Sequence, residues 1–142
     1  METQIMKMRA LVVGKKRKLK AIGAMLAQNG SYAVDVIPPS YPCDRERLVV
    51  IVATVRSSMP DAFRRFCQEL SKEKAQNVAL IIDGNEANAA MVADWIKGAG
   101  TNVIDNILYF PVGFFAALSK SLSVEETAKI NAWYANVSES LK

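Results

Sequence analysis

Three apolar runs limit this chain's folding options more than any other feature. They are "RALVV" (9–13), "LVVIVA" (48–53) and "NVALII" (77–82). The last two lack the apolar–polar alternation of a strand with one wet face. A strand apolar at nearly every position is covered on both faces, and such strands belong to parallel sheets. The segments between the runs have helical spacing. Leu19, Ile22, Met25 and Leu26 share one face of a helix predicted over 18–28, which Asn29-Gly30 stops. Phe63, Phe66, Cys67 and Leu70 mark a second helix, opened by Met59-Pro60-Asp61 with Ser58 as its cap. Met91, Val92, Trp95 and Ile96 mark a third over 87–97. Ser123 and Glu126 have capping-box spacing, and Ile130, Trp133, Tyr134, Val137 and Leu141 form a stripe behind them. With weaker strands at 32–37 and 107–110, the count is five strands and four helices. That alternation predicts an α/β fold with a parallel sheet between two helical layers.

A length of 142 residues suits one domain over 1–142. No apolar run approaches a membrane span. The opening "METQIMKM" lacks the apolar core of a signal peptide, so the expected compartment is the cytoplasm. The chain contains no histidine. That excludes a Ser-His-Asp triad, a His-activated cysteine and a histidine zinc site within one chain. The two cysteines, Cys43 and Cys67, form neither a disulfide framework nor a metal motif. Cys67 falls on an apolar helix face and reads as inert, whereas Cys43 reads as exposed. An electron carrier or a non-catalytic binding protein fits these exclusions better than an independent enzyme.

The net charge of +4 is concentrated locally. Gly14 ends the first apolar run, and Lys15, Lys16, Arg17, Lys18 and Lys20 follow. Strand, glycine and helix start form the layout of a phosphate site, where free backbone N–H groups and the helix dipole favour anions. Cations there are each unfavourable by a few tenths of a kcal/mol unless an anion or acidic partner is present. The segment therefore reads as an anion site or as a solvated charged turn. Nucleic acid is disfavoured, because no wider basic stripe with interleaved aromatics accompanies it.

Thr54, Arg56, Ser57 and Ser58 follow the central run and are expected beside this loop. Arg56 can fork onto a phosphate or carboxylate, or be solvated. Asp83-Gly84 ends the 77–82 run. Asp83 can face a ribose, a metal or Arg56, or simply open a turn. Phe114 and Phe115 read as a lid, a dimer contact or a satellite of the core. Trp95, Trp133 and Tyr134 read as core, and Tyr41 lies in a short crossover that can approach the site.

In "RALVVG…LKAIGAMLA" and "RLVVIVATVRSSMPDAFRRFCQEL", the chain resembles the flavodoxins. The resemblance continues more weakly through "NVALIIDGNE" and the terminal helix. It covers nearly the whole chain in pattern, and is specific in motif around the first strand and 48–70. It implies a three-layer, doubly wound, five-stranded parallel sheet in the order 2-1-3-4-5. It also implies flavin mononucleotide (FMN) at the carboxyl ends of the strands, for electron transfer with a redox partner. Carried onto this sequence, the cofactor-binding candidates are Gly14, Lys15, Lys16, Arg17, Lys18, Thr54, Arg56, Ser57, Ser58 and Gly84. Gly14 would permit close approach, Lys15 to Lys18 would neutralise the phosphate, and Thr54 and Ser57 would donate hydrogen bonds.

The chain also departs from that pattern. Its phosphate loop is shorter than the family's and has no Ser or Thr, and the loops at 54–58 and 83–86 carry no aromatic residue. Each lost aromatic contact is worth about 0.5–1.5 kcal/mol beyond burial. Two functions follow as expectations. One is an electron carrier binding FMN or another phosphate ligand in a degenerate site. The other is a flavin-free interaction or regulatory module whose basic loop docks an acidic partner.

Overall fold

The computed structural model describes residues 8–13, 17–30, 33–37, 39, 43–114 and 122–141. In chain order the elements are β1 (Met8–Val12), α1 (Arg17–Gly30), β2 (Ala33–Asp35), β3 (Glu46–Thr54) and α2 (Asp61–Glu69). β4 (Ala75–Asp83), α3 (Glu86–Gly98), β5 (Asn102–Val103), β6 (Leu108–Phe110) and α4 (Val124–Ser140) follow. All the strand pairings are parallel. The order is β2-β1-β3-β4-β5, with β6 also paired to β4. The chain leaves β1 for the outer strand β2, then returns across β1 to β3. The winding direction therefore reverses between β1 and β3.

The expected strand at 107–110 forms as β6, and a short strand that the sequence did not predict, β5, precedes it on the same edge of β4. β5 pairs with Asn77 and Val78, and β6 pairs with Ile81 to Asp83. The exposed residues Asp105 and Asn106 lie between the two strands. Ile107 N donates to Asp105 O at 2.9 Å in a local turn, and Asn106 O accepts from the Trp133 indole at 2.7 Å. Polar residues bonded locally and to α4 cannot continue the ladder, so the edge breaks there.

The central strands are buried on both faces, as their composition requires. Ala10, Val12, Leu48, Val50, Val52, Ala79 and Ile81 join one core with Leu19, Ile22 and Leu26 of α1 and Ile130, Trp133 and Val137 of α4. The alternate residues Leu11, Val49, Ile51, Ala53, Val78, Leu80 and Ile82 join the other. There they meet Phe63 and Cys67 of α2 and Ala89, Val92 and Ile96 of α3. This period of two sends successive side chains to opposite helical layers. Trp95 and Tyr134 pack against these cores partly buried.

Helix starts are set locally. Ser123 and Glu126 make the reciprocal capping box that the sequence predicts. Asn85 caps α3 by accepting from Asn88 N at 2.8 Å. At α2 the expectation fails. The N-cap is Pro60, with no side-chain bond, and Ser58 lies outside the helix. Asp61 supplies the first-turn charge there and pairs with Arg64 at 3.1 Å. Cys43 is also corrected: it is buried, 4% exposed, in the core beneath α2 and α3. No helix among the described residues is long and apolar enough to cross a membrane.

Candidate functional site

The loops after β3, β4 and β6 meet at the carboxyl ends of the strands, beside the exit of β1 and the reversal in winding. In an open α/β sheet, this is where a ligand crevice forms. Val13 N donates to Val52 O at 2.9 Å, which holds the exit of β1 against β3. Val55 N donates to Asp83 O at 2.9 Å, and Gly84 N donates to Phe110 O at 3.3 Å. These bonds carry the ladder pattern one step beyond the strands and fix the loop origins relative to one another.

Asp83 organises the centre of this cluster. It is the last residue of β4 and is fully buried. Its Oδ1 accepts from Gly113 N at 2.9 Å, and both Arg56 terminal nitrogens lie 3.4 Å from the same oxygen. Its Oδ2 lies 3.5 Å from Thr54 Oγ1. Arg56 Nη1 also donates to Val55 O and Asp83 O, both at 3.0 Å. One carboxylate thus joins the loops after β3, β4 and β6. The Asp83–Arg56 pairing considered from sequence is the one that forms. The pair is asymmetric: the Arg56 side chain is 40% exposed and that of Asp83 is not exposed at all.

Gly84 lets two of these loops touch. A Cβ at this position would lie 2.6 Å from Val55 O, closer than real contacts allow. Its role is the close approach of backbone to backbone. Ser57 and Ser58 are exposed on the rim.

The cationic segment divides. Gly14, Lys15 and Lys16 lie outside the described residues, as do Tyr41 and Phe115. Arg17 is the first residue of α1 and is exposed; no acid shares that turn. Lys18 points inward and is 5% exposed. Its Nζ sits 3.8 Å from the centroid of the Phe114 ring and 3.9 Å from Glu126 Oε2. Phe114 in turn stacks on Phe110, with centroids 4.2 Å apart and planes 12° from parallel. Phe114 packs partly buried against the core beneath α1 and α4, which is the satellite position considered for it. Lys18 therefore joins α1, the turn after β6 and the cap of α4.

Sequence reasoning missed the roles of Gly113 and Glu126 here. Glu126 signalled only its own capping box, and no local pattern connects it to Lys18. Two groups near these cores have raised pKa values. Burial pushes the Cys67 thiol up to about 12. Burial, then the Glu86 carboxylate, raises the Tyr109 hydroxyl. No group of three or more His, Cys, Asp or Glu among the described residues is arranged to hold a metal ion.

No family model matches the chain, and no curated protein does. A solved structure does match. It is that of a short-chain flavodoxin associated with a non-canonical PDU bacterial microcompartment. The TM-score is 0.60 and the identity 15%, over 96% of this chain and 100% of that one. Such low identity speaks to architecture alone, and there it agrees with the strand order and layers described above. The chain has a flavodoxin-like fold.

Proposed function

We propose that this protein binds a phosphate-bearing ligand in the crevice at the carboxyl ends of β1, β3 and β4. FMN is the first candidate, and electron transfer is the role that follows from it. One observation carries the reading: α1 starts at the winding reversal with Arg17 exposed and no acid in its first turn. The dipole and N–H groups of that turn already favour an anion.

The available side chains fit such a ligand in a particular way. Lys15, Lys16 and Arg17 supply charge for the phosphate, while Lys18 is engaged with Phe114 and Glu126. Thr54 and Ser57 supply hydroxyls at the end of β3, and Gly84 allows close packing of backbone. The missing Ser/Thr cradle is replaced by cations, whose attraction for a dianion is long-ranged and weakly directional. When bound, the flavin would supply the one- and two-electron chemistry. The protein supplies position and field.

A second reading has its own support. With Lys18 turned inward, Arg17 and Lys20 remain exposed on α1. That surface suits an acidic partner of a flavin-free module that keeps the fold.

The visible spectrum of the purified protein separates the two. Bound flavin gives a yellow solution with near-ultraviolet and blue bands. A colourless protein that also takes up no added FMN removes the electron-carrier reading. The anion site has a separate check. Phosphate or sulfate should raise the melting temperature of the wild type more than that of a Lys15/Lys16/Arg17→Ala variant. Equal shifts would remove the site.

A further inference from the structure

We propose that the Arg56 guanidinium is the face on which the ligand's planar ring stacks, and that Asp83 fixes its plane. This rests on the flavin reading above. The loops after β3 and β4 carry no aromatic residue, so a ring in this crevice needs another flat surface. Arg56 provides one. Nη1 donates to Val55 O and Asp83 O at 3.0 Å, and Nη1 and Nη2 both lie 3.4 Å from Asp83 Oδ1. Guanidinium N–H bonds lie in the plane of the group, so these acceptors occupy its edge and hold its orientation. Hydrogen bonding does not use the π faces.

The exposures assign the two roles. Asp83 is fully buried and acts as the brace, whereas the Arg56 side chain, 40% exposed, is the contact surface. Gly84 limits where a ring can lie. With room for no Cβ between it and Val55 O, the loops after β3 and β4 close against each other. A ring cannot enter between them at that level and must lie across the top, where Arg56 is. A cation beneath an aromatic face is attractive, more so for an electron-rich or anionic ring. The ligand class is therefore a planar heteroaromatic carrying a phosphate tail.

The test separates ring from phosphate. Riboflavin (ring without phosphate) and FMN are titrated separately into the flavin-free protein at fixed ionic strength, with quenching of flavin fluorescence as the readout. Arg56→Lys keeps the charge and loses the plane, while Arg56→Tyr keeps a plane and loses the charge. The expected result is that Arg56→Lys weakens both ligands by about the same factor, roughly 3- to 10-fold. Arg56→Tyr stays within about 2-fold of wild type, as a stacking surface of similar strength should. Asp83→Asn, with the brace weakened, falls between them.

Wild-type riboflavin binding by Arg56→Lys overturns the proposal. So does a loss confined to FMN, which would make Arg56 a phosphate ligand. A parallel loss in Arg56→Tyr and Arg56→Lys also overturns it. If the wild type binds both flavins and the variants match it, stacking falls and the flavin reading stands. If the wild type binds neither, both fall. Circular-dichroism melts of each variant establish that the compared proteins are folded.

Discussion

Replacing Asp83 measures how much one buried carboxylate holds the crevice together. In Asp83→Ala, Gly113 N loses its 2.9 Å acceptor and Arg56 loses its counter-charge. A net hydrogen bond of this kind is worth about 1 kcal/mol, rather more when the acceptor is charged. Breaking a fully buried pair costs about 3–5 kcal/mol because an unpaired charge is left inside. That upper range does not apply here. The Arg56 side chain is 40% exposed and keeps carbonyl acceptors at 3.0 Å, so the freed cation rehydrates in place. Removing the carboxylate also relieves its own desolvation. The expected loss is then about 2–3 kcal/mol for Asp83→Ala.

Asp83→Asn keeps an oxygen for Gly113 N and loses only charge, so about 1 kcal/mol is expected. For a domain of this size, Asp83→Ala should melt roughly 6–12 °C lower. Urea unfolding at fixed pH gives the free energies. A cycle with Arg56→Ala gives the pair's coupling, expected at about 1 kcal/mol after solvent screening. If Asp83→Ala unfolds at the wild-type midpoint with an unchanged slope, the carboxylate does not hold the loops. A coupling of zero would place its effect on Gly113 rather than on Arg56.

Three further outcomes follow from the geometry. Gly84→Ala should destabilise by about 1–3 kcal/mol, because Val55 O must move from a 2.6 Å contact; denaturant unfolding checks it, and a neutral result would mean the loops separate readily. Cys67 should resist thiol reagents in the folded protein, since a pKa near 12 leaves on the order of one thiolate in ten thousand at pH 8. The unfolded thiol ionises near 9.0 and the folded one near 12, so the folded state holds more protons between them. Stability should fall as pH rises through that window, which alkaline unfolding curves of wild type and Cys67→Ser compare. Lys18→Met should stay within about 1 kcal/mol of wild type or exceed it, because an apolar side chain replaces a buried ammonium whose carboxylate partner is 3.9 Å away. Its melting temperature should also respond to phosphate as the wild type does; a lost response would make Lys18 an anion ligand.

What was legible in the sequence depended on the range of each interaction. The layers came from local composition. Leu48 to Ala53 are apolar at every position, which is possible only where helices cover both faces, and the two cores divide them by alternate residues. The Ser123–Glu126 box lies within one turn and was read directly. Ser58 shows the limit of such signals. It is a good capping residue, but the chain starts α2 at Asp61 behind Pro60, whose fixed φ suits the entry. Cys43 lies in the crossover leading to β3, and no periodicity marked it for burial.

The site was legible in position more than in content. Topology brings Thr54, Arg56 and Gly84 to one end of the sheet, as expected from the strands they follow. Their chemistry depends on partners far along the chain: Asp83 lies 27 residues from Arg56, Gly113 lies 30 from Asp83, and Glu126 caps a helix beyond the last strand. Lys18 makes the point most clearly. Within its own segment it is one more cation at a helix start, and the dipole argument assigns it to an anion. In the fold, α4 and the turn after β6 close over that position, and its charge meets a phenyl face and a carboxylate instead. A run of like charges thus divides by depth: Lys18 is taken up in contacts within the fold, while Arg17 stays available to a ligand. The same division separates Asp83 from Arg56. In both pairs, the buried residue is held by contacts within the fold and its exposed neighbour presents the charge.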